Sequence, residues 1–224
     1  MNQKYLFFEW LAARLEKGLP GVLAQERMKP SGRPLPIILP ETARKSAVLV
    51  TLYPQENEYK LILIQRSIDG SNHSGQIAFP GGKYEIQDTS LKATALREAQ
   101  EEIHLQPSLV NIVGKLTPIF IPVSNFNVYP YLGICHSLPQ LKVDNYEVTK
   151  LYHFSLNHDF KQKKIKSFFS GFKNIQIEAP AYQFNHDKYI WGATAMILSE
   201  LEYLWMEYNQ ITNHSTSIMK NGDS

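Results

Sequence analysis

The stretch PGGKYEIQDTSLKATALREAQEEIHL, residues 80–105, indicates the fold of this chain. Its second half, residues 95–105, has apolar residues at helical spacing and carries Glu98, Glu101 and Glu102 within two turns. At about 100° per residue, these carboxylates fall within an arc of roughly 100° that borders the apolar face. Like charges at this spacing each cost about 0.2–0.5 kcal/mol, and the negative end of the helix dipole adds to that cost. Acidic residues at the end of a helix therefore need a physical reason.

A divalent cation would remove this repulsion. Mg²⁺ prefers hard oxygen ligands, and proteins usually hold it with a few carboxylates together with substrate phosphates and water. The alternative is a solvated acidic helix end that is balanced by Arg97 and Lys92. Composition alone leaves both interpretations open.

The glycine-rich loop before the helix favours the metal site. The segment FPGGKYEIQD (79–88) places two adjacent glycines where a tight turn allows the backbone to approach a ligand closely. Asp88 either caps a helix that begins at Thr89 or pairs with Arg97 and fixes the loop against the helix. A turn, an acid and then Arg-Glu-x-x-Glu-Glu is more specific than any of these parts alone.

The rest of the chain predicts strands with a helix between them and helices at both ends. We expect a helix at 3–17, a proline-rich linker at 29–40, a hairpin of strands 46–54 and 59–67, a loop at 71–88, a helix at 89–104, strands at 110–122, 126–137 and 148–156, a mobile basic connection at 158–174, a strand at 174–184 and a helix at 188–208. This order is typical of an α+β fold built as an α/β/α sandwich. The expected division is an N-terminal helix and linker (1–43), a main domain (44–208) and a flexible tail (209–224).

Composition narrows the class of protein. The 224 residues are 43% hydrophobic and 20% charged, which is ordinary globular usage. A net charge of +2 gives no general reason to expect nucleic acid or an anionic membrane as a partner. The single Cys135 excludes an internal disulfide framework and predicts a small buried side chain in a reducing compartment. With neither a secretory signal nor a transmembrane segment recognised, we expect a cytoplasmic protein.

The aromatic residues of the N-terminal helix, Tyr5, Phe8 and Trp10, predict either core packing or a dimer contact. Together with Trp205 they allow a homodimer through the terminal helices.

Residues 80–105 resemble the Nudix box, whose pattern is G-x5-E-x7-R-E-U-x-E-E-x-G-U, where U is aliphatic. The matching positions are Gly82, the loop acid Asp88, Arg97, Glu98, Ala99, Glu101, Glu102 and Leu105. The sequence departs from the pattern in three ways: the loop acid is Asp, one extra residue precedes Arg97, and His104 replaces the last glycine. We expect His104 to have a structural role.

The Asp and the extra residue are similar to the coenzyme A pyrophosphatase branch of the family. That branch has a second signature, roughly L-L-T-x2-R-[S/A]-x3-R-x3-G-x3-F-P-G-G, and this chain has LILIQRSIDGSNHSGQIAFPGG at 61–82. Leu63 stands where Thr is expected and Ser71 where Arg is expected. HSGQ at 73–76 and IWGATAMIL at 190–198 also resemble this branch.

The resemblance implies a Nudix-like sandwich with a mixed sheet, and a hydrolase of a nucleoside diphosphate linked to another moiety. For this branch the reaction would cleave coenzyme A or acyl-coenzyme A to 3′,5′-ADP and (acyl-)4′-phosphopantetheine. Glu98 and Glu102 would be the main Mg²⁺ or Mn²⁺ ligands, with Glu101 supporting them and Arg97 orienting the loop through Asp88. The substrate contacts would be Arg66, Ser67, Gln76, Phe79, Gly81, Gly82 and Lys83.

Two further questions stay open at the level of sequence. The general base is either Glu98 or, less favoured, Glu147, which otherwise is a solvated loop acid. The function is hydrolysis of coenzyme A, hydrolysis of another nucleotide such as ADP-ribose or a dinucleotide, or non-catalytic nucleotide sensing. The complete set of acidic residues argues against a sensor, because a sensor does not need a metal site.

Overall fold

Alternating apolar residues between 44 and 66 form the centre of a mixed sheet. In the computed structural model, which describes residues 6–33, 38–68, 70, 73–144, 146–170 and 175–221, strand β1 (Arg44–Gln55) pairs antiparallel with β2 (Glu58–Arg66). This is the predicted hairpin. Strand β7 (Phe126–Ile134) lies parallel to β1 on its other side, which makes the sheet mixed.

Five shorter strands complete this sheet. They are β3 (Ile77–Ala78), β4 (Gly81–Lys83), β5 (Asn111–Lys115), β6 (Ile119–Ile121) and β8 (Val148–Ser155). The strand order is β3-β2-β1-β7-β5, while β4 pairs with β1, β6 with β7 and β8 with β2. The predicted loop at 71–88 therefore contains two short strands, and the predicted strand at 110–122 is two strands with a break between them.

Helices cover both faces of the sheet, as predicted for an α/β/α sandwich. They are α1 (Leu6–Leu15), α2 (Val22–Glu26), α3 (Leu91–Ile103) and α4 (Gly192–Asn221). On one face, Ala95, Ala99 and Ile103 of α3 share a buried cluster with Leu49 of β1. On the other face, α1 and α4 share a cluster with the alternate residues of β1, such as Val50.

The terminal helices pack against each other through aromatic rings. Phe7 meets Trp205 edge to face with 4.9 Å between ring centroids. Phe8 and Trp205 are only 5% and 8% exposed, so both belong to the core of a single chain. Tyr5 lies outside the described residues. The aromatic residues that suggested a homodimer therefore give no support for one.

The described part of the basic segment 158–174, which is residues 158–170, is not the mobile connection that its composition predicts. Lys163–Ser170 forms strand β9, which pairs with β10 (Ile175–Phe184), and β10 pairs with β11 (Lys188–Ile190) in a second antiparallel sheet. The lysines of β9 remain largely exposed on an edge strand, where charged residues are common. The lysines gave this segment the composition of a solvated loop, although it pairs with the next strand along the chain.

The C-terminal helix also differs from the prediction. Residues 188–190 are strand, and α4 begins at Gly192, whose φ of +64° allows the chain to turn from strand into helix. The helix continues past 208 to Asn221, into the predicted flexible tail at 209–224. The sequence contains no glycine or proline between Gly192 and Gly222, so nothing local ends the helix earlier.

A buried carboxylate joins the N-terminal segment to the main sheet. Glu200 on α4 is fully buried and accepts hydrogen bonds from the backbone N–H groups of Gly21 and Thr117, both at 3.0 Å. It also accepts hydrogen bonds from the Thr117 hydroxyl at 2.7 Å and from Gln25 at 3.3 Å. These contacts fix α2 and the β5–β6 turn on α4. Cys135 is buried as predicted, and none of the described helices is both long and apolar enough to cross a membrane.

Helix α3 begins later than predicted, and Asp88 is not its cap. Ser90 is the N-cap, and its hydroxyl accepts a hydrogen bond from the backbone N–H of Ala93 at 3.1 Å. Asp88 instead binds Arg97, with Arg97 Nε at 2.9 Å and Nη2 at 3.1 Å from its two carboxylate oxygens. The second sequence interpretation of Asp88 is therefore the one observed. Arg97 holds the pKa of Asp88 down at about 2.

His104 is the C-cap of α3. This residue adopts the left-handed conformation, with φ 56° and ψ 24°, that a glycine would normally take here. Its Nδ1 lies 2.9 Å from the carbonyl oxygen of Lys142, a contact that helps to offset the strain.

The low pKa of Asp88 predicts a pH-dependent contribution to stability. Because the folded pKa is about 2 and the ordinary value is 3.8, the ionised carboxylate should stabilise the fold by about 2–3 kcal/mol above pH 4. This contribution should disappear as the pH falls towards 2. Asp88→Asn should therefore lower the free energy of unfolding at pH 7, and the difference from the native protein should shrink below pH 4, as measured by urea denaturation.

The matched control for this variant is Glu101→Gln. Glu101 is an exposed partner of the same arginine, 58% exposed, so its removal should change stability by less than about 1 kcal/mol. An Asp88→Asn difference that stays constant between pH 7 and pH 3 would show that the charge of Asp88 is not the stabilising element.

Candidate active site

Two glycines bring the loop backbone directly against α3. The N–H of Gly81 donates a hydrogen bond to Glu102 Oε2 at 2.8 Å. Gly81 has φ +153°, and a Cβ at this position would lie 2.4 Å from the carbonyl oxygen of Ala47. A Cβ on Gly82 would lie 2.4 Å from the carboxylate atoms of Glu98. Glu98 can occupy its position only because Gly82 lacks a side chain, and Gly81 can lie this close to β1 for the same reason.

Arg97 holds the loop and the acids together. Besides Asp88, its guanidinium donates to the carbonyl oxygen of Lys83 at 3.1 Å. Its Nη1 atom lies 3.0 Å from Glu98 Oε1 and 2.8 Å from Glu101 Oε2. Arg97 therefore joins the loop to α3 through Asp88 and the Lys83 carbonyl, and it also balances two glutamates.

Glu102 is the most deeply buried of the acids. Its side chain is 2% exposed, and Arg66 Nη1 is 3.3 Å from its Oε1. Burial raises the pKa of Glu102 to about 8, although the Gly81 N–H and Arg66 act in the opposite direction. Burial also raises the pKa of Glu98, whose side chain is 12% exposed. Both acids therefore carry an electrostatic cost that the neighbouring arginines only partly offset.

Glu147 lies close enough to affect both of these acids. Its negative charge contributes to the raised pKa values of Glu98 and Glu102. It is exposed, and its backbone carbonyl accepts a hydrogen bond from the N–H of Ser67 at 2.8 Å. The fold therefore brings this later loop to the acidic site, which the sequence alone could not establish.

The donor chemistry of this cluster suits a divalent cation. Glu98 and Glu102 offer hard carboxylate oxygens, and a bound cation would favour the ionised forms that burial disfavours by raising their pKa values. In the described part of the chain, however, no three acidic, histidine or cysteine side chains are gathered around one point. Instead, Arg66 and Arg97 pair with the glutamates. Glu101 is directed at Arg97 and is the most exposed of the three.

A cleft of about 680 Å³ opens beside this loop. Its walls include six of the seven predicted substrate contacts, Arg66, Gln76, Phe79, Gly81, Gly82 and Lys83. Ser67 is not part of the wall. Its backbone carbonyl instead accepts a hydrogen bond from the N–H of Gly75 at 3.1 Å, which supports the segment that carries Gln76.

Other wall residues escaped the sequence analysis. Arg33 comes from the proline-rich segment, and Trp191 comes from the short connection between β11 and α4. Trp191 stacks on Phe168 of β9 with 4.4 Å between ring centroids and 5° between ring planes. The resemblance of residues 190–198 to the coenzyme A branch was the one signal that pointed to Trp191. No signal pointed to Arg33.

The two departures from the branch signature have different structural settings. Leu63 is fully buried in the core of β2, where its side chain packs with other apolar residues and does not line the cleft. Ser71 lies outside the described residues.

Comparison with known proteins identifies the family. The model of the NUDIX domain matches residues 43–156, which is half of the chain. A protein of Pectobacterium atrosepticum described as an uncharacterized Nudix hydrolase NudL is 31% identical over 189 residues, covering 79% of this chain and 88% of that protein. The protein of the same description from Yersinia pestis (strain Pestoides F) is 32% identical over 160 residues, covering 71% and 79%.

Among solved structures, the Nudix hydrolase RenU from M. smegmatis matches with a TM-score of 0.49 and 11% identity. That match covers 77% of this chain and 87% of the other. The family assignment itself depends on the domain match and on the two sequence relatives. The chain therefore belongs to the Nudix family and is a hydrolase of a pyrophosphate-containing substrate.

Proposed function

We propose that this Nudix hydrolase cleaves the pyrophosphate bond of coenzyme A and its acyl thioesters. The products would be 3′,5′-ADP and (acyl-)4′-phosphopantetheine. The observation that carries this proposal is the cleft, in which the loop that resembles the coenzyme A signature forms one wall beside the buried acids.

The composition of the cleft suits a substrate with several anionic groups and a long neutral arm. Arg66, Lys83 and Arg33 bring positive charge to it. Much of the remaining wall is apolar, with Phe79, Phe126, Ile177 and Trp191 among its residues. Coenzyme A combines a 3′-phosphate and a pyrophosphate with the pantetheine arm, so both kinds of surface would be used.

Nudix hydrolases generally use divalent metal ions, and here Glu98 and Glu102 would hold one. When bound, the ion neutralises the charge of the pyrophosphate and activates a water molecule. Arg66, which pairs with Glu102, would bind a phosphate oxygen of the pyrophosphate through its planar guanidinium. Glu98 would accept the proton of the attacking water, and Glu147 is the second candidate.

The substrate is tested by a product assay with the native enzyme and either Mg²⁺ or Mn²⁺. Coenzyme A, an acyl-coenzyme A, ADP-ribose and a diadenosine polyphosphate would be compared at equal enzyme concentration. We expect release of 3′,5′-ADP from coenzyme A with a kcat/KM at least about tenfold above that of the other two classes, a ratio attainable through one set of charge-assisted contacts. A higher kcat/KM for ADP-ribose or for the dinucleotide would contradict the proposal.

The role of Glu98 is tested by Glu98→Gln. The variant should fold normally, because burial disfavours the charge that is removed. Its kcat should fall by at least about 10³-fold, because removing the charge weakens both cation binding and proton acceptance. Glu101→Gln is the control, since Glu101 is exposed and should matter less. Equal losses in the two variants, or an unchanged kcat for Glu98→Gln, would remove Glu98 from this role.

The adjacent glycines provide a second test of the site geometry. Gly82→Ala would push the Glu98 carboxylate out of its position without changing the backbone, so kcat should fall by at least about tenfold while the unfolding midpoint is nearly preserved. Gly81→Ala should instead lower the unfolding midpoint, because its Cβ meets the rigid backbone of β1. Thermal unfolding and steady-state kinetics measure the two effects. Full activity of Gly82→Ala would show that the position of Glu98 is not critical.

A further inference from the structure

Arg33 is a cationic residue of the cleft that belongs to neither the acidic site nor the matched Nudix region. It lines the same cleft as Arg66 and Lys83 but precedes the matched residues 43–156. Arg66 contacts Glu102 and therefore marks the pyrophosphate end of the cleft. Arg33 has no contact with these acids, so it marks a different part of the same cleft.

The backbone around Arg33 is held in place on several sides. The N–H of Ser31 donates to the carbonyl oxygen of Glu178 on β10 at 2.8 Å, and the N–H of Arg33 donates to Pro30 O at 3.3 Å. Lys29 Nζ donates to the carbonyl oxygen of Arg33 at 3.0 Å. The guanidinium itself donates through Nη2 to the carbonyl oxygen of Phe120 on β6. The side chain is therefore positioned in advance of any ligand.

The charge of Arg33 is not balanced by the described part of the chain. Within those residues it forms no salt bridge, whereas Arg66 pairs with Glu102, and Arg97 pairs with three carboxylates. Burial lowers the pKa of Arg33 to about 10, and no acidic group contributes to that pKa. A guanidinium has five N–H donors, and among the described residues the carbonyl oxygen of Phe120 accepts from one of its terminal nitrogens. A half-buried cation with spare donors in a cleft is suited to bind an anion.

We propose that Arg33 binds a phosphate monoester of the substrate that is separate from the pyrophosphate under attack. This inference rests on the proposed function, under which the group is the 3′-phosphate of coenzyme A. A planar guanidinium can hold two oxygens of such a group at once. ADP-ribose and diadenosine polyphosphates have no phosphate monoester for Arg33 to bind. Arg33 would then be a residue that determines specificity rather than a catalytic one.

The proposal is tested by removing the phosphate and the guanidinium separately and together. Native enzyme, Arg33→Gln and Arg33→Lys would be assayed on coenzyme A and on 3′-dephospho-coenzyme A. We expect the native enzyme to prefer coenzyme A by about 10- to 100-fold in kcat/KM, the range for charge-assisted hydrogen bonds. Arg33→Gln should reduce this preference to about threefold or less, mainly through KM, while kcat/KM for the dephospho substrate stays within about twofold. Arg33→Lys should be intermediate.

The matched control is Arg44→Gln. Arg44 also donates to a carbonyl oxygen near the cleft, Ser124 O at 2.7 Å, but it is not part of the wall. Its loss should leave the ratio between the two substrates unchanged. If Arg33→Gln instead lowers kcat/KM equally for both substrates, Arg33 acts only by supporting the Phe120 segment, and the proposal is wrong.

The inference can also be tested on the native protein by measuring binding, which does not depend on the folding of any variant. By isothermal titration calorimetry, 3′,5′-ADP should bind at least about tenfold more tightly than 5′-AMP, because the two differ only in the 3′-phosphate. Equal affinity would overturn the inference even if coenzyme A is the substrate. Cleavage of ADP-ribose but not of coenzyme A would overturn the proposed function and, with it, the identity of this phosphate.

Discussion

The site depends on the close approach between the backbone at Gly81–Gly82 and the carboxylates of α3. Glu98 lies where a Cβ on Gly82 would be, and Glu102 accepts a hydrogen bond from the Gly81 N–H. Strand β4 holds this backbone on β1, and Asp88 with Arg97 holds the other end of the loop against the helix. The sheet, the loop and the helix are thus fixed together at the point where the acids are gathered.

This arrangement also shows how the chain tolerates a concentration of negative charge. Arg97 and Arg66 lie between the acids and reduce their repulsion, but burial still raises the pKa values of Glu98 and Glu102. Partial neutralisation is what a reversible cation site requires, because complete pairing with arginines would leave no reason for an ion to bind. Under the proposed function, Arg66 would also meet phosphate oxygens of the substrate. Its contact with Glu102 is therefore one that a substrate complex could replace.

The sequence predicted those elements whose structure is determined by residues close to one another along the chain. Periodicity identified the β1–β2 hairpin and α3, and the spacing of the acids with Arg97 pointed to the cluster that the fold brings together. Sequence analysis failed where composition was a poor guide. Strand β9 was missed because its lysines are typical of a solvated loop, whereas the segment pairs with the next strand, β10. Local rules left two roles for Asp88, the cap of α3 or the partner of Arg97, and the structure shows the second. Arg33 belongs to no sequence motif, and only the folded structure shows that it lines the cleft.

The two sides of the cleft have different origins in the chain. The acids and the glycine-rich loop belong to the matched Nudix region, whereas Arg33 and Trp191 come from segments before and after it. Glu200 joins these outer segments to the β5–β6 turn through buried hydrogen bonds, so the outer wall has a fixed position relative to the sheet. Under the proposed function, hydrolysis uses the first side, where the acids lie beside the glycine-rich loop. Selection among pyrophosphates would use the second side, because what differs between the substrates lies beyond the bond that breaks.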